Sequence, residues 1–305
     1  MKALKIRKLV KMYDKLEVLK WINLDIESWD FFSLLWHNWA GKTTIIWIIT
    51  DLVSKNSWDI DIFWINIGKN FSEAKKMIWV VPQEFNFDIF SKVIDVPVIQ
   101  AGYYWVPRKI ALERTEKYFK KLWLWEKRNN EARELSGWMK RRLMIVRALI
   151  HEPKLLILDE PTAWVDVELR NTMWKFIKEL NQNWTTILLT THYLEEAEAL
   201  CNKIAILSKW KIIENTTMNN ILTKLDEEII IFDTNKKIDK LPEKLIKNYK
   251  SNIIWKNKIE ITILKKDNLN NIFKIFDENN IEVLSLRNKS NRLEQLFIKL
   301  TKQNS

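Results

Sequence analysis

The sequence predicts an α/β fold, a parallel sheet covered by helices, followed by a small α+β domain, and three observations carry that prediction. Residues 155–200 alternate strand and helix patterns in β-α-β order. The apolar run Phe31-Phe32-Ser33-Leu34-Leu35 leads into a loop that ends in Gly41-Lys42-Thr43-Thr44 and then into a helix. A second apolar strand, Leu155-Leu156-Ile157-Leu158, ends in Asp159-Glu160-Pro161.

Taken in order, residues 4–8, 22–26 and 31–35 read as short strands with turns between them, and residues 43–52 as a helix. Strands follow at 60–63 and 78–81. From about 85 to 134 the pattern becomes helical and charged, with 108–124 the clearest amphipathic run, so an inserted helical subdomain is expected over about 85–150. A helix at 137–151, the strand at 155–158, a helix at 166–181, a strand at 186–189 and a helix at 193–200 complete the first domain. Beyond about residue 215 the composition shifts to Lys, Asn and Ile. Strands at 228–232, 258–264 and 281–286 and helices at 268–278 and 292–302 predict a separate accessory or regulatory domain over 216–305, after a first domain of 1–215.

Composition narrows the classes. The net charge is +11, but Lys and Arg are spread along the whole chain, which points to a solvated surface and to no nucleic-acid partner. No apolar run approaches the roughly 18 to 20 residues needed to cross a bilayer, and Met1 to Arg7 lack the apolar centre of a secretion signal, so a cytoplasmic location is expected. A single cysteine, Cys201, excludes an internal disulfide framework and a cysteine-rich zinc site.

Lys42 and Thr43 at a helix start have a clear chemical logic. Strand, loop and helix in this order form the phosphate-binding loop GxxxxGK[ST]: backbone N–H groups cradle phosphates, the lysine reaches the β/γ-phosphates and the hydroxyl ligates Mg²⁺. Here that loop is Trp36-His37-Asn38-Trp39-Ala40-Gly41-Lys42-Thr43-Thr44, with Trp36 where the first glycine belongs. His37 is read as a source of a backbone N–H and not as a base. The strand ending in Asp159 is the expected partner, because a carboxylate there can hold the Mg²⁺ that bridges the phosphates. Glu160 beside it can polarise an attacking water.

At this point the chain resembles the ATP-binding subunits of ABC transporters, which are P-loop NTPases with a RecA-like core. Leu135-Ser136-Gly137-Trp138-Met139 is similar to the family signature LSGG[QM]; Gln83 to the Q-loop glutamine, which in the family contacts Mg²⁺ and senses the membrane partner; Ala163-Trp164-Val165-Asp166 to the D-loop; and His192 to the H-loop histidine. Tyr13 sits where the family stacks an aromatic ring on adenine. The resemblance covers residues 1 to about 215 and implies ATP and Mg²⁺ as cofactors. It implies Glu160, His192 and Gln83 as catalytic residues and Thr43, Gln83 and Asp159 at the metal. Nucleotide contacts are implied from Tyr13, the loop 36–44, Ser136, Gly137, Trp138 and Asp166. It also implies two partners, a membrane-spanning permease and a second ATP-binding subunit closing head-to-tail. The ending Leu293-Glu294-Gln295-Leu296-Phe297 is similar to that of drug- and polysaccharide-type exporters. The rivals are a soluble ABC ATPase acting on ribosomes or DNA and, if the tryptophans are real, a catalytically dead scaffold.

Those tryptophans are the anomaly. The chain has 17 tryptophans and 4 glycines, whereas glycine is ordinarily about 7% of residues. Tryptophan stands at family glycine positions 36, 39, 138 and 164, and at turn positions 21, 29, 58, 64, 184 and 210. A dead ATPase, random drift and a gene whose UGA triplets encode glycine are the three accounts. Only the third explains every misfit by one cause. Trp125 and Trp174 lie in helical contexts that suit a ring, and Trp255 stays ambiguous.

Overall fold

The computed structural model describes residues 1–14, 16–36, 42–53, 59–163, 166–265, 267–289 and 291–303. The chain divides into two compact units, Met1–Thr216 and Thr217–Ser305.

The first unit runs β1 (Lys2–Tyr13), β2 (Leu16–Glu27), β3 (Phe31–Trp36), α1 (Lys42–Ile49), β4 (Ile60–Ile62), β5 (Ile65–Asn66), α2 (Phe71–Met77), β6 (Ile78–Val81), α3 (Asp95–Gly102), α4 (Arg108–Lys121), α5 (Gly137–Leu149), β7 (Leu155–Asp159), α6 (Val167–Gln182), β8 (Thr186–Thr190), α7 (Leu194–Leu200), β9 (Lys203–Ser208) and β10 (Lys211–Thr217). Strands β2-β1-β4-β5 form one sheet, antiparallel throughout. The order β10-β9-β3-β8-β7-β6 forms the other, in which β9, β3, β8, β7 and β6 run parallel.

Every residue of β7 and of β8 is buried, as expected for central parallel strands covered on both faces. Helix α1 is apolar nearly all round, and such a helix is stable only inside a core. Ile45, Ile46, Ile48 and Ile49 share one cluster with Leu4 and Ile6 of β1, Ile22 of β2, Phe32 of β3 and Ile157 of β7. Helix α1 thereby packs in one core with residues of both sheets. On α6 the buried set Met173, Phe176, Ile177 and Leu180 has the spacing of one helix face. Helices α3, α4 and α5 lie between β6 and β7 in the sequence, and Val98, Ala101, Ala111 and Ile150 form their shared cluster.

The second unit contains α8 (Met218–Leu222), β11 (Glu227–Thr234), α9 (Glu243–Asn248), β12 (Lys250–Trp255), β13 (Lys258–Leu264), α10 (Leu269–Glu278), β14 (Val283–Asn288) and α11 (Arg292–Gln303). Its antiparallel sheet has the order β12-β13-β11-β14, and Ile272, Ile275 and Phe276 of α10 pack into a cluster with Phe232 and Ile261. The sequence reading omits α2, α8, α9, β5, β9, β10 and β12, and it makes β1 and β2 too short. The omission of β9 matters most, because β9 flanks β3 on the side opposite β8.

Backbone angles single out the tryptophans. Among the described residues, fourteen non-glycine residues have positive φ, and six of them are tryptophan: Trp21, Trp29, Trp105, Trp123, Trp184 and Trp210. Bulky residues are outliers in this region, which glycine enters freely. Three of the six end helices in the same way. After α3, α4 and α6, the residue following the tryptophan donates its N–H to a carbonyl five residues back: Val106 to Ala101 at 3.1 Å, Leu124 to Phe119 at 2.8 Å and Thr185 to Leu180 at 3.3 Å. That bond defines the helix ending whose left-handed residue is usually glycine. Between β9 and β10 both Lys209 (φ 45°) and Trp210 (φ 64°) are left-handed, the two-residue hairpin turn whose second central seat favours glycine. Trp105 is 90% exposed, so its ring gains little packing in return, while Trp184, 69% exposed, meets the ring of Trp29 edge-on at 4.9 Å. At the turn after β4 the left-handed residue is Phe63 and not Trp64, so backbone strain gives no reason for glycine at 64. Trp39, Trp58 and Trp164 lie outside the described residues.

A chain with glycine at 184 is expected to be more stable than one with tryptophan there by about 1–2 kcal/mol, the cost of a left-handed side-chain-bearing residue. Urea unfolding of the two chains measures it, and coincident midpoints would contradict the strain argument.

Candidate active site

Strands β3, β8, β7 and β6 are adjacent and parallel, so their carboxyl ends share one edge of the sheet. Open α/β sheets bind ligands at that edge. It carries Trp36 at the end of β3, Thr190 at the end of β8 with Thr191-His192 after it, Asp159 at the end of β7 with Glu160 after it, and Pro82-Gln83 after β6. His37, Asn38, Trp39, Ala40 and Gly41 lie outside the described residues, as do the side chains of Lys42 and Thr43. Lys42, Thr43 and Thr44 form the first turn of α1, whose free N–H groups and dipole suit an anion.

The described side chains converge on Glu160. Gln83 Nε2 donates to Glu160 Oε2 at 3.1 Å, and His192 Nδ1 lies 3.3 Å from the same oxygen. Asp159 is fixed separately: Thr190 Oγ1 donates to its Oδ1 at 2.6 Å. Both carboxylates are buried, while His192 is half exposed and faces solvent from the rim. Glu160 has φ 50°, yet its N–H bonds Thr190 O at 2.8 Å. That bond closes the last pair of the β7–β8 ladder, Asp159↔Thr190, and the left-handed turn at Glu160 follows directly.

Arg141 of α5 secures the Gln83 segment. Its guanidinium is buried and donates to the backbone carbonyls of Pro82 and Gln83. Burial pulls its pKa below the usual arginine value, and the charges of Asp159 and Glu160 oppose that pull. A buried carboxylate held by an amide donor and an imidazole, beside a second carboxylate held by a hydroxyl, is equipped to take a proton from water next to a bound cation.

Other expected site residues stand apart from this cluster. Ser136 is the exposed cap of α5, its Oγ accepting from Met139 N at 3.2 Å, with Gly137 exposed beside it. Trp138 follows in the first turn, its indole N–H buried without an acceptor and Arg142 4.9 Å from its ring. Asp166 caps α6 through a bond from Leu169 N at 2.9 Å. Tyr13 is exposed at the end of β1, with Lys11 Nζ 4.9 Å from its ring. Trp36 packs against the core cluster of the first unit.

Sequence reasoning misses Arg141, Thr190 and Glu196. Lys and Arg as a whole are read as a solvated surface, yet Arg141 and Arg142 are buried. Glu196 is fully buried and accepts from Thr162 Oγ1 at 2.8 Å and Trp174 Nε1 at 2.9 Å. Its signal is present in the sequence: Glu196 adjoins Ala197 on the buried face of α7.

Comparison with known proteins decides the family. A family model described as ABC transporter matches residues 19–163. A linearmycin resistance ATP-binding protein of Bacillus subtilis (strain 168) is 30% identical over 297 residues, covering 95% of this chain and 96% of that protein. The chain belongs to the ABC transporter ATP-binding family. A Nod factor export ATP-binding protein I of Cupriavidus pinatubonensis is 35% identical over 204 residues, 67% of this chain and 63% of that protein. A solved ATP-binding subunit of an ABC transporter superposes with a TM-score of 0.68 at 22% identity, covering 73% of this chain and 92% of that one. The cbiO1 subunit of Clostridium perfringens, part of the ABC transporter complex cbiONQ, superposes at 0.66 and 23% identity over 73% and 91%. ABC ATP-binding subunits hydrolyse ATP and work with a membrane permease. Among the described residues no helix is long and apolar enough to cross a membrane.

Burial pushes the Glu196 carboxyl above its ordinary value of 4.5, against the hydrogen bonds from Thr191, Thr162 and Trp174. The fold therefore favours the protonated acid, and stability is lost as pH rises from 4.5 through the raised folded value. Glu196→Gln cannot ionise, so its melting temperature relative to wild type should climb with pH across that window. Parallel melting curves would contradict this.

Proposed function

We propose that this chain powers export through a separate membrane permease, hydrolysing ATP with Glu160 as the general base. The observation that supports this reading is the convergence of Gln83 and His192 on one oxygen of Glu160. ATP binds with its phosphates at the start of α1, where Lys42 reaches the β- and γ-phosphates and Tyr13 stacks on adenine. Asp159, Gln83 and Thr43 would hold Mg²⁺. Their oxygen donors fit a hard cation that keeps most of its waters. Gln83 uses its amide nitrogen on Glu160, so its oxygen is the atom it offers the metal. Bound there, Mg²⁺ neutralises charge developing on the phosphates. Glu160 takes the proton of the attacking water, and His192, at the exposed rim, orients the γ-phosphate.

Two subunits close head-to-tail in this reading. The exposed helix caps Ser136-Gly137 and Asp166 are free of the Glu160 cluster within one chain and are suited to a neighbour's nucleotide. The permease side is marked by the exposed Phe85, Ile89, Phe90 and Tyr103 that follow Gln83. Beside them a cavity of about 340 Å³ is lined by Phe71, Trp79, Tyr104 and Arg147 and reaches Asp159. A short amphipathic helix of a permease seated there would touch the Gln83 segment directly. The name of the Nod factor export relative supports the export direction, and in this reading the chain sits on the inner face of the membrane against its permease.

Activity further requires glycine where the loop must wrap phosphate. The natural chain carries glycine, encoded by UGA, at Trp36, Trp39, Trp138 and Trp164. The left-handed backbone supports the same reading for Trp21, Trp29, Trp105, Trp123, Trp184 and Trp210.

Glu160→Gln should still bind ATP and associate into dimers, while turnover falls by about 10²–10⁴-fold, the usual contribution of a general base. Unchanged turnover would remove Glu160 from that role. In the gene, UGA triplets are expected at positions 36, 39, 138 and 164, and UGG there would defeat the glycine reading.

A further inference from the structure

Three segments that carry site residues meet on one carboxylate outside the site. Thr162 lies two residues beyond Glu160, in the connection from β7 towards Asp166; Trp174 is in the middle of α6, which Asp166 caps; Glu196 lies four residues beyond His192. Thr162 and Glu196 are both fully buried, and a single oxygen, Glu196 Oε1, accepts from the Thr162 hydroxyl and from the Trp174 indole. A second contact between the same helices supports His192: its ring lies 4.0 Å from that of Tyr193, and Arg170 of α6 stands 4.7 Å over the far partner, Tyr193.

An apolar side chain of the same volume would fill this spot without the cost of burying a carboxyl group. What the carboxyl adds is a directional hold on Thr162. That hold matters because Glu160 is left-handed, and such strained residues persist only where their surroundings over-determine them. Upstream, Glu160 N–H is tied to Thr190 O at 2.8 Å. Downstream, Glu160 O accepts from Ala163 N at 3.3 Å, and the intervening Thr162 is tied to Glu196.

We propose that Glu196 is a positioning residue for ATP hydrolysis, gripping Thr162 from the helix behind His192 so that the Glu160 carboxylate and the His192 imidazole stay registered on each other. The inference rests on the reading of Glu160 as the base. It gives Trp174 a definite task as the second donor, in contrast to the tryptophans that sit on exposed left-handed turns.

The test is steady-state ATPase kinetics on the full chain, produced with each triplet read as its own host reads it. Thr162→Val removes the hydroxyl at nearly constant volume, and Glu196→Leu removes the acceptor. Each should lower kcat by roughly 10- to 100-fold, the scale of a small misplacement of catalytic groups, while KM for ATP stays within about twofold. Thr162→Ser and Glu196→Gln keep donor and acceptor and should retain most of the turnover. The Thr162→Val/Glu196→Leu double variant should be no slower than the worse single variant, because both remove one interaction. Thermal melting and nucleotide binding report whether Glu196→Leu folds, and Thr162→Val carries the test if it does not. Wild-type kcat in Thr162→Val, or equal losses in Thr162→Val and Thr162→Ser, would overturn the proposal. Glu160→Gln is assayed alongside: if it keeps wild-type turnover the base assignment fails, whereas a dead Glu160→Gln beside a fully active Thr162→Val overturns the positioning role alone.

Discussion

One hydrogen bond, from Glu160 N to Thr190 O at 2.8 Å, organises the chemistry of this chain. It completes the Asp159↔Thr190 pairing, the last position of the β7–β8 ladder, and Glu160 turns left-handed immediately beyond it, its carboxylate at the sheet edge. From that register the rest follows. Thr190 is opposite Asp159 and can donate to it. Val81 is paired with Leu158, so the chain leaving β6 brings Gln83 to Glu160. His192 arrives two residues after β8. The parallel sheet is a device for delivering four strand ends to one place, and its fully buried central strands keep that place rigid.

A second constraint concerns where the backbone must be left-handed. Six tryptophans occupy such positions, five of them on helix ends and turns; Trp21, expected at a turn, lies instead inside β2 at a register irregularity against β1. Other tryptophans behave as rings ordinarily do. Trp125 has Arg128 4.5 Å from its ring and Lys120 5.4 Å away, and Trp174 donates to Glu196. Backbone angle therefore sorts the tryptophans into those, such as Trp125 and Trp174, outside the left-handed region and the six within it. The glycine reading agrees with the first group being real and the second being glycine, and the phosphate loop belongs with the second by its chemistry.

The site was legible in the sequence to the extent that its chemistry sits at strand ends. Asp159, Glu160, Gln83 and His192 each follow an apolar run, and parallel alternation alone places such ends on one edge. The helices 108–121 and 167–182 were legible because their apolar spacing is regular. What stayed hidden depends on tertiary contact. Arg141 and Glu196 are charged residues in helices, a pattern that reads as surface until a carbonyl or a hydroxyl is found facing them. Trp105 and Trp123 gave no turn signal, since the demand for a left-handed residue appears only once the helix end is known. Phe63 and Trp64 show the reverse error: the turn was evident, but the strained seat is the neighbouring one. Strand β9 was missed because it follows α7 after only Cys201 and Asn202, with no glycine or proline to mark the break.

These constraints meet in one proposal: the edge at Glu160 is the ATP-hydrolysing site, and its phosphate loop works with glycine at 36 and 39. The most direct measurement compares ATP binding and hydrolysis by two otherwise identical chains, one with glycine and one with tryptophan at those two positions. The glycine chain should bind MgATP and turn it over, and the tryptophan chain should do neither. Equal turnover by both chains, or none by the glycine chain, would contradict it.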